Sequence, residues 1–425
     1  MYAPAMFRAM RVSIEAYGCA ANQGDAAIAR GILGEQGHRL VANPDEADVV
    51  VLFTCCVIQR TEQRMLHRLR ELAALDIDVV VAGCMPAVYP DRITGVAPDA
   101  MLLGPREVHR LGRALDGPDM PEDKARLPRQ SALRLDVPIA DGCRYRCSYC
   151  VTRQARGRLT SYDLDGLVAT AGEALRRGCR ELRLTCQDTA VYGMDTGTSL
   201  RSLVSRIAVL PGEFRVRVGM MHPLSVMQRP GVLDVFEHDT VYGFLHLPLQ
   251  SGSDRVLQRM RRGYTARDVL DIVAGARERF PDITIATDVI VAFPGESERD
   301  FEETCTVLRE MQPDVVNVTR FSARPGTPAA DMARPDTMMA KERSRRLAAL
   351  VHEVTGANME RQVGTVTEAL FLEERDGMVA AKTDGYRSVY LPDVSPGMIG
   401  TLRQVRITGI EGGHLIGELD GKEHI

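Results

Sequence analysis

Three cysteines fall close together in the stretch DGCRYRCSYC: Cys143, Cys147 and Cys150, spaced C-x3-C-x2-C. Structural zinc takes four protein ligands, so this run alone cannot cage that ion. Three thiolates can hold three irons of a 4Fe–4S cluster and leave the fourth open to a small chelating ligand. A zinc site completed by a distant ligand, or unrelated buried thiols, are the blander alternatives. A second set is dispersed. Cys19 follows RVSIEAYG, Cys55 follows VVVLFT and Cys84 follows DVVVAG. Singly, each reads as a small buried residue. Together, at matched strand ends, they would converge on the edge of a parallel sheet, where open α/β folds bind ligands. Three convergent thiolates again suit a cluster with one open iron.

The elements needed to hold these thiols are visible in the pattern. The apolar runs ADVVVLFTC and DIDVVVAGC alternate with helical patterns such as QRTEQRMLHRLRELAAL. Buried apolar strands between helices predict a parallel sheet. A Rossmann-like parallel α/β domain is therefore expected over 1–117. The Pro- and charge-rich segment that follows reads as a linker, 118–133. Six strand candidates with intervening helices then run from LRLDVPIA to VVNVTRFS. A full barrel needs eight repeats, so 134–360 is expected to form a partial (β/α)6 TIM barrel. Cys143 follows its first strand, at the C-terminal mouth where barrel active sites are built. A long charged helix closes this part. Short strands broken by Gly and Asp predict a small all-β, OB-like barrel over 361–425.

Composition bounds the rest. A chain of 425 residues suggests two or three domains. With net charge -4, any polyanion site must be a local basic patch. No apolar run approaches the roughly 20 residues of a membrane span, and MYAPAMFRAM lacks a signal-peptide h-region. A cytoplasmic location is expected, where clustered cysteines more often mean metal or catalysis than disulfides. Tryptophan is absent, so base stacking would fall to residues such as Tyr145, Tyr162 and His222.

The C-x3-C-x2-C run with Tyr149 before its last cysteine resembles the signature of radical S-adenosylmethionine (SAM) enzymes. The order YGC, TC, GCMP, barrel triad and β tail narrows the resemblance to the radical SAM methylthiotransferases, over nearly the whole chain. LTCQDTAVYG, HLPLQSGSDRVLQRMRRGY, TDVIVAFPGE and FSARPGTPA match as well. The resemblance implies two 4Fe–4S clusters, held by Cys19, Cys55 and Cys84 and by Cys143, Cys147 and Cys150. It implies two SAM molecules per turnover, one methylating sulfur and one generating the radical that abstracts hydrogen. It places Tyr149, Gln187, Asp188, Gln250 and Phe293 at the SAM pocket; His246, on the strand before Gln250, is either there or a satisfied core imidazole. The family's usual Asn before Thr-Cys is Phe53 here, and Cys56 competes with Cys55. If both remain in the strand, alternation turns only one of the two thiols toward the cluster, and the motif favours Cys55. Cys179, Cys186 and Cys305 are expected in the core.

Family members differ in substrate. YGCAANQGD, VAGCMP, ARGRLTSY and LTCQDTAVYG look most like the archaeal and eukaryotic branch acting on N-6-threonylcarbamoyladenosine in tRNA. Isopentenyladenosine in tRNA and a ribosomal-protein aspartate are the alternatives. The resemblance implies the tRNA anticodon loop as partner, an electron donor such as ferredoxin or flavodoxin, and a TRAM module in the tail; a monomer is expected, and the sulfur donor stays open. From position 361 onward there are 7 Lys+Arg against 10 Asp+Glu, an unpromising balance for gripping phosphates. The barrel instead offers RQARGR, with Arg156 and Arg158, and RMRR at 259–262. Arg324 is a further substrate candidate. Solvated faces and turns are the bland reading of all these charges.

Overall fold

The computed structural model describes residues 9–75, 77–118, 120–130 and 132–421. The stretch read above for a leader therefore falls mostly outside the described residues.

The N-terminal unit is a five-stranded sheet of β1 (Arg11–Ala16), β2 (Arg39–Val41), β3 (Val49–Thr54), β4 (Asp78–Gly83) and β5 (Met101–Leu103). Its order is β2-β1-β3-β4-β5 and every pairing is parallel. All six residues of β3 are buried because helices cover both faces. Helix α1 (Ala20–Glu35) packs Ile28, Ile32 and Leu33 against Val49, Val51 and Phe53. Helix α2 (Gln59–Ala73) packs Met65, Leu69 and Leu72 against Val50 and Leu52. The order reverses between β1 and β3, and the crevice beyond the carboxyl ends at such a switch point is where this fold binds ligands. Cys19 follows β1 and Cys55 follows β3.

Six strands make the open barrel: Arg134–Pro138, Glu181–Thr185, Arg215–Val218, Phe244–His246, Thr284–Val291 and Val315–Arg320. They form two parallel three-stranded sheets, joined where Val216 bridges Val241 and the Met221 amide donates to the His246 carbonyl at 2.9 Å. The two N-terminal units touch closely. A Cβ on Gly24 of α1 would lie 2.7 Å from the Pro138 ring, so only glycine lets α1 settle on the first barrel strand.

The tail forms a closed five-stranded barrel with its own core around Phe371, Val389 and Val405. It docks on the floor of the large barrel. Glu373 pairs with Arg134, and Glu368 and Asp384 pair with Arg215, each at 2.9 Å. Arg387 reaches Asp314 at 2.9 Å. Arg134 and Arg215 begin their strands, and Asp314 stands just before the sixth. The tail is thus at the end opposite the cysteine-bearing mouth. No described helix is long and apolar enough to cross a membrane.

Candidate active site

The barrel triad lies on the loop after the first strand. The turn into it needs Gly142, with φ +83 and a would-be Cβ 2.0 Å from the Arg158 carbonyl oxygen. Gln187, at the end of the second strand, accepts from the Gly142 amide at 2.7 Å. Gln187 therefore holds the cysteine loop directly. The Cys143 amide donates to the Gly157 carbonyl at 3.2 Å, and the Cys150 amide to the Cys147 carbonyl at 3.1 Å. All three thiols are partly exposed. Burial pushes the Cys143 thiol up to about 12 and raises Cys150 as well.

Facing them is a buried cation. Arg262 is 4% exposed and donates to the Cys147 sulfur at 3.2 Å and to the Tyr149 hydroxyl at 3.4 Å. Its Nε donates to the Tyr264 hydroxyl at 2.8 Å. Among the described residues it has no carboxylate partner. A buried guanidinium without a carboxylate is costly, and an anionic group held by the thiolates would satisfy it. Three thiolates, one buried cation and an adjoining cavity fit an iron–sulfur group with an open coordination site. Among the described residues no group of three or more His, Cys, Asp or Glu is gathered to hold a single metal ion.

That cavity, of about 330 Å³, is lined by Tyr149, Cys150, Gln250, Asp288, Phe321 and Arg324, with Val57 and Ile58 of the N-terminal unit closing one side. Gln250 sits at φ +71, a left-handed backbone uncommon outside glycine, and pairs with Val289 across the strands. His246 meets Asp288 at 3.1 Å. Phe293 is fully buried behind Tyr149, edge-on at 6.4 Å. Asp188 is not among the residues lining this cavity, though its charge acts on Cys143. Its carboxylate is buried and accepts from Ala190, His222 and Ser225, and burial lifts it to about 6.

The dispersed triad does converge. Cys19 caps the N-terminus of α1, and Cys84 opens the short helix α3 (Cys84–Val88) directly after β4. Cys55 lies against Gly18, whose would-be Cβ comes 2.8 Å from the Cys55 Cβ. The Asn22 side chain ties these ends together, donating to the carbonyls of Tyr17 and Thr54 at 2.9 Å each. The strand ends at Thr54, so Cys55 and Cys56 both lie beyond it and strand alternation does not sort them. Cys56 is wholly buried in the layer under α2 and hydrogen-bonds Cys84. That bond, with the nearby Arg156 cation, outweighs burial and holds the Cys84 thiol low. Burial pushes the neighbouring Cys55 thiol up to about 11; three thiols so placed would fit a second iron–sulfur group.

Two expected substrate residues are elsewhere. Arg156 is 1% exposed and is not a phosphate contact. It pairs with Asp141 and, at 2.9 Å, with Asp25 of α1. The nitrogen that reaches Asp25 also donates to the Asn22 side-chain oxygen at 3.2 Å. Lys124, between the two units in sequence, joins the same two acids, and the Tyr162 hydroxyl donates to Asp141 at 2.6 Å. Arg324 lines the cavity, but its guanidinium is spent on Glu62 of α2 and lies over the Tyr89 ring. Only Arg158 of the three is exposed. Tyr162 and His222 are likewise buried. His222 instead stacks on Tyr145 with ring centroids 4.0 Å apart. Sequence reasoning missed Arg262 as the cation beside Cys147, and Asn22, Asp25, Lys124 and Glu62 as the ties between units. Their partners are far away in the chain, so no local spacing marks them. Cys179, Cys186 and Cys305 lie in the barrel core.

The comparisons with known proteins agree with this architecture. Residues 11–104 match uncharacterized protein family UPF0004, 137–308 the radical SAM superfamily and 360–419 the TRAM domain. A Methanothermobacter thermautotrophicus protein named a probable threonylcarbamoyladenosine tRNA methylthiotransferase is 38% identical, over 96% of this chain and 99% of its own. The Drosophila melanogaster and human proteins named threonylcarbamoyladenosine tRNA methylthiotransferase are 34% and 31% identical. They cover 96% and 93% of this chain, which covers 77% and 72% of theirs. Among solved structures, the radical SAM methyltransferase TsrM from Kitasatospora setae, with cobalamin and a [4Fe-4S] cluster bound, shares the fold. Its TM-score is 0.56 at 14% identity, covering 88% of this chain and 80% of that one. The chain belongs to the threonylcarbamoyladenosine tRNA methylthiotransferase family.

Proposed function

We propose that this chain converts N-6-threonylcarbamoyladenosine beside the tRNA anticodon to its 2-methylthio derivative, with one 4Fe–4S cluster on Cys143, Cys147 and Cys150 and a second on Cys19, Cys55 and Cys84. The observation that carries the reading is the packing of Cys84 in one core layer with Val151 and Ala155, which directly follow the barrel triad. Arg156, six residues beyond Cys150, reaches the Cys84 thiol. When bound, the clusters and two SAM molecules supply reductive cleavage, hydrogen abstraction at carbon 2 of adenine, sulfur and methyl.

The chain's own residues do the rest. Arg262 offsets negative charge at Cys147, and Gln187 fixes the loop through Gly142. Tyr149, backed by Phe293, gives the cavity an apolar wall, and Gln250 supplies a polar group on a backbone held by Val289. Val57 and Ile58, each 43% exposed, form an apolar lip that keeps water from the cavity. Tyr145 offers the aromatic face on which a splayed base stacks. A low-potential protein such as ferredoxin or flavodoxin supplies electrons, and the enzyme works as a monomer.

The test is mass spectrometry of tRNA nucleosides from cells with and without this gene. The reading expects the methylthio form of threonylcarbamoyladenosine to vanish and the unmodified precursor to accumulate. An unchanged nucleoside profile, with a methylthio group lost from a ribosomal protein, would replace it.

A further inference from the structure

Guanidinium groups collect around the mouth of the barrel without counter-ions. Arg144 and Arg146 lie within the cysteine loop itself. Arg158 follows Gly157, whose carbonyl takes the Cys143 amide, and its own carbonyl accepts from Arg106. On the other side, the Ser148 amide donates to Met260 at 3.0 Å and its hydroxyl to the Arg259 carbonyl at 2.8 Å, which places Arg259 and Arg261 beside the loop. All six arginines are exposed. Among the described residues none of them forms an ion pair with a carboxylate. Arg261 even holds a long side chain at φ +57, a backbone region that disfavours it.

The tail presents the opposite picture. Of the five tail arginines, Arg375, Arg387 and Arg406 are engaged with carboxylates, and only Arg361 and Arg403 are left without an ion pair among the described residues. Lys382 is half-buried and donates to the Ser388 hydroxyl at 2.8 Å, and desolvation lowers it to about 8. Its ion pairs fasten the tail to the floor of the barrel, away from the cysteines. RNA hairpins carry a phosphate at every step, and single-stranded phosphates neutralised by arginine release counter-ions on binding. Unpaired, hydrated cations ringing the site meet that need; cations already paired do not.

We propose that Arg106, Arg144, Arg146, Arg158, Arg259 and Arg261 form the phosphate grip for the RNA hairpin whose base enters the cavity, while the C-terminal barrel serves as a floor and contributes little to affinity. This rests on the reading of tRNA as substrate. It assigns the electrostatic contact to the rim of the cysteine loop and takes it away from the module whose type would suggest it.

Binding of a threonylcarbamoyladenosine-containing anticodon stem-loop to the full, cluster-loaded protein is measured between low and moderate KCl. Arg144→Ala/Arg261→Ala is expected to weaken binding and reduce the slope of log K against log salt by about 1.4 to 1.8. Arg144→Lys/Arg261→Lys keeps charge and restores the slope. Arg361→Ala/Arg403→Ala, in and beside the tail, leaves affinity and slope as in the unaltered protein. A silent rim pair, or a loss confined to the tail pair, overturns the assignment while the unaltered protein still binds RNA. An unaltered protein that shows no salt-dependent RNA binding overturns the tRNA reading itself, and this grip with it.

Discussion

Replacing Arg156 with alanine removes the cation that two buried acids share across the domain boundary. Asp25, Asp141, Lys124 and Arg156 are each 1% exposed at the side chain. In the intact cluster two positive groups balance two negative ones, and Asn22 and Tyr162 satisfy further valences. Without Arg156, Lys124 alone faces both carboxylates. Breaking one partner of a buried pair costs about 3 to 5 kcal/mol. At about 0.59 kcal/mol for RT, that is a factor of roughly 150 to 5,000 in the unfolding equilibrium. The pH dependence gives the sharper test. Burial alone would raise Asp141, but the Lys124 and Arg156 charges win and hold it below the carboxylate range. In the unaltered protein its contribution is therefore present above pH of about 4 and is lost only as acid approaches the depressed value. In Arg156→Ala one acid loses its partner while burial remains, so its pKa rises. The deficit should be greatest near pH 7.5 and shrink toward pH 5 as that acid takes a proton. Urea denaturation followed by circular dichroism at both pH values reads this. A variant as stable as the unaltered protein, or a deficit that grows on acidification, refutes the reasoning.

Other consequences follow from the same geometry. Gly142→Ala should displace the cysteine loop, because a Cβ would overlap the Arg158 carbonyl at 2.0 Å; iron analysis should show the barrel cluster lost and the other kept. Cys56→Ala should keep full iron, since Cys55 is the thiol that lies against Gly18 beside Cys19 while Cys56 is wholly buried, whereas Cys55→Ala should lose the N-terminal cluster; equal iron in the two variants would contradict the assignment of Cys55. Cys19→Ala should still cleave SAM but transfer no methylthio group, as chromatography of 5′-deoxyadenosine and of tRNA nucleosides would show.

The sheet and the cysteines were legible because both are local signals. The runs before Cys55 and Cys84 are apolar from end to end, which marks strands covered on both faces, and each cysteine closes its strand. The six barrel strands were placed on the same grounds, and the broken tail strands did form a closed barrel. The edge strands Arg39–Val41 and Met101–Leu103 were not foreseen; each has three residues, too few to show a period. The arginines were the main misreading. Arg156 sits in a basic run that looks like a solvated surface, yet its partner Asp25 is 131 positions away. Arg324 pairs with Glu62 across 262 positions. Burial of a charge depends on a distant opposite charge, and spacing within a motif carries no trace of it. Arg262 was hidden in the same way, since its role beside Cys147 appears only when the helix carrying Met260 packs on Ser148.

The central claim is tested most directly with the purified, anaerobically reconstituted protein, SAM and a strong reductant. Two tRNA samples are compared, one bearing threonylcarbamoyladenosine beside the anticodon and one carrying plain adenosine there. About eight irons per chain are expected, and a 2-methylthio product, found by mass spectrometry, from the threonylcarbamoylated tRNA alone. Equal product from both tRNAs, or none from either while a ribosomal protein gains the methylthio group, would contradict it.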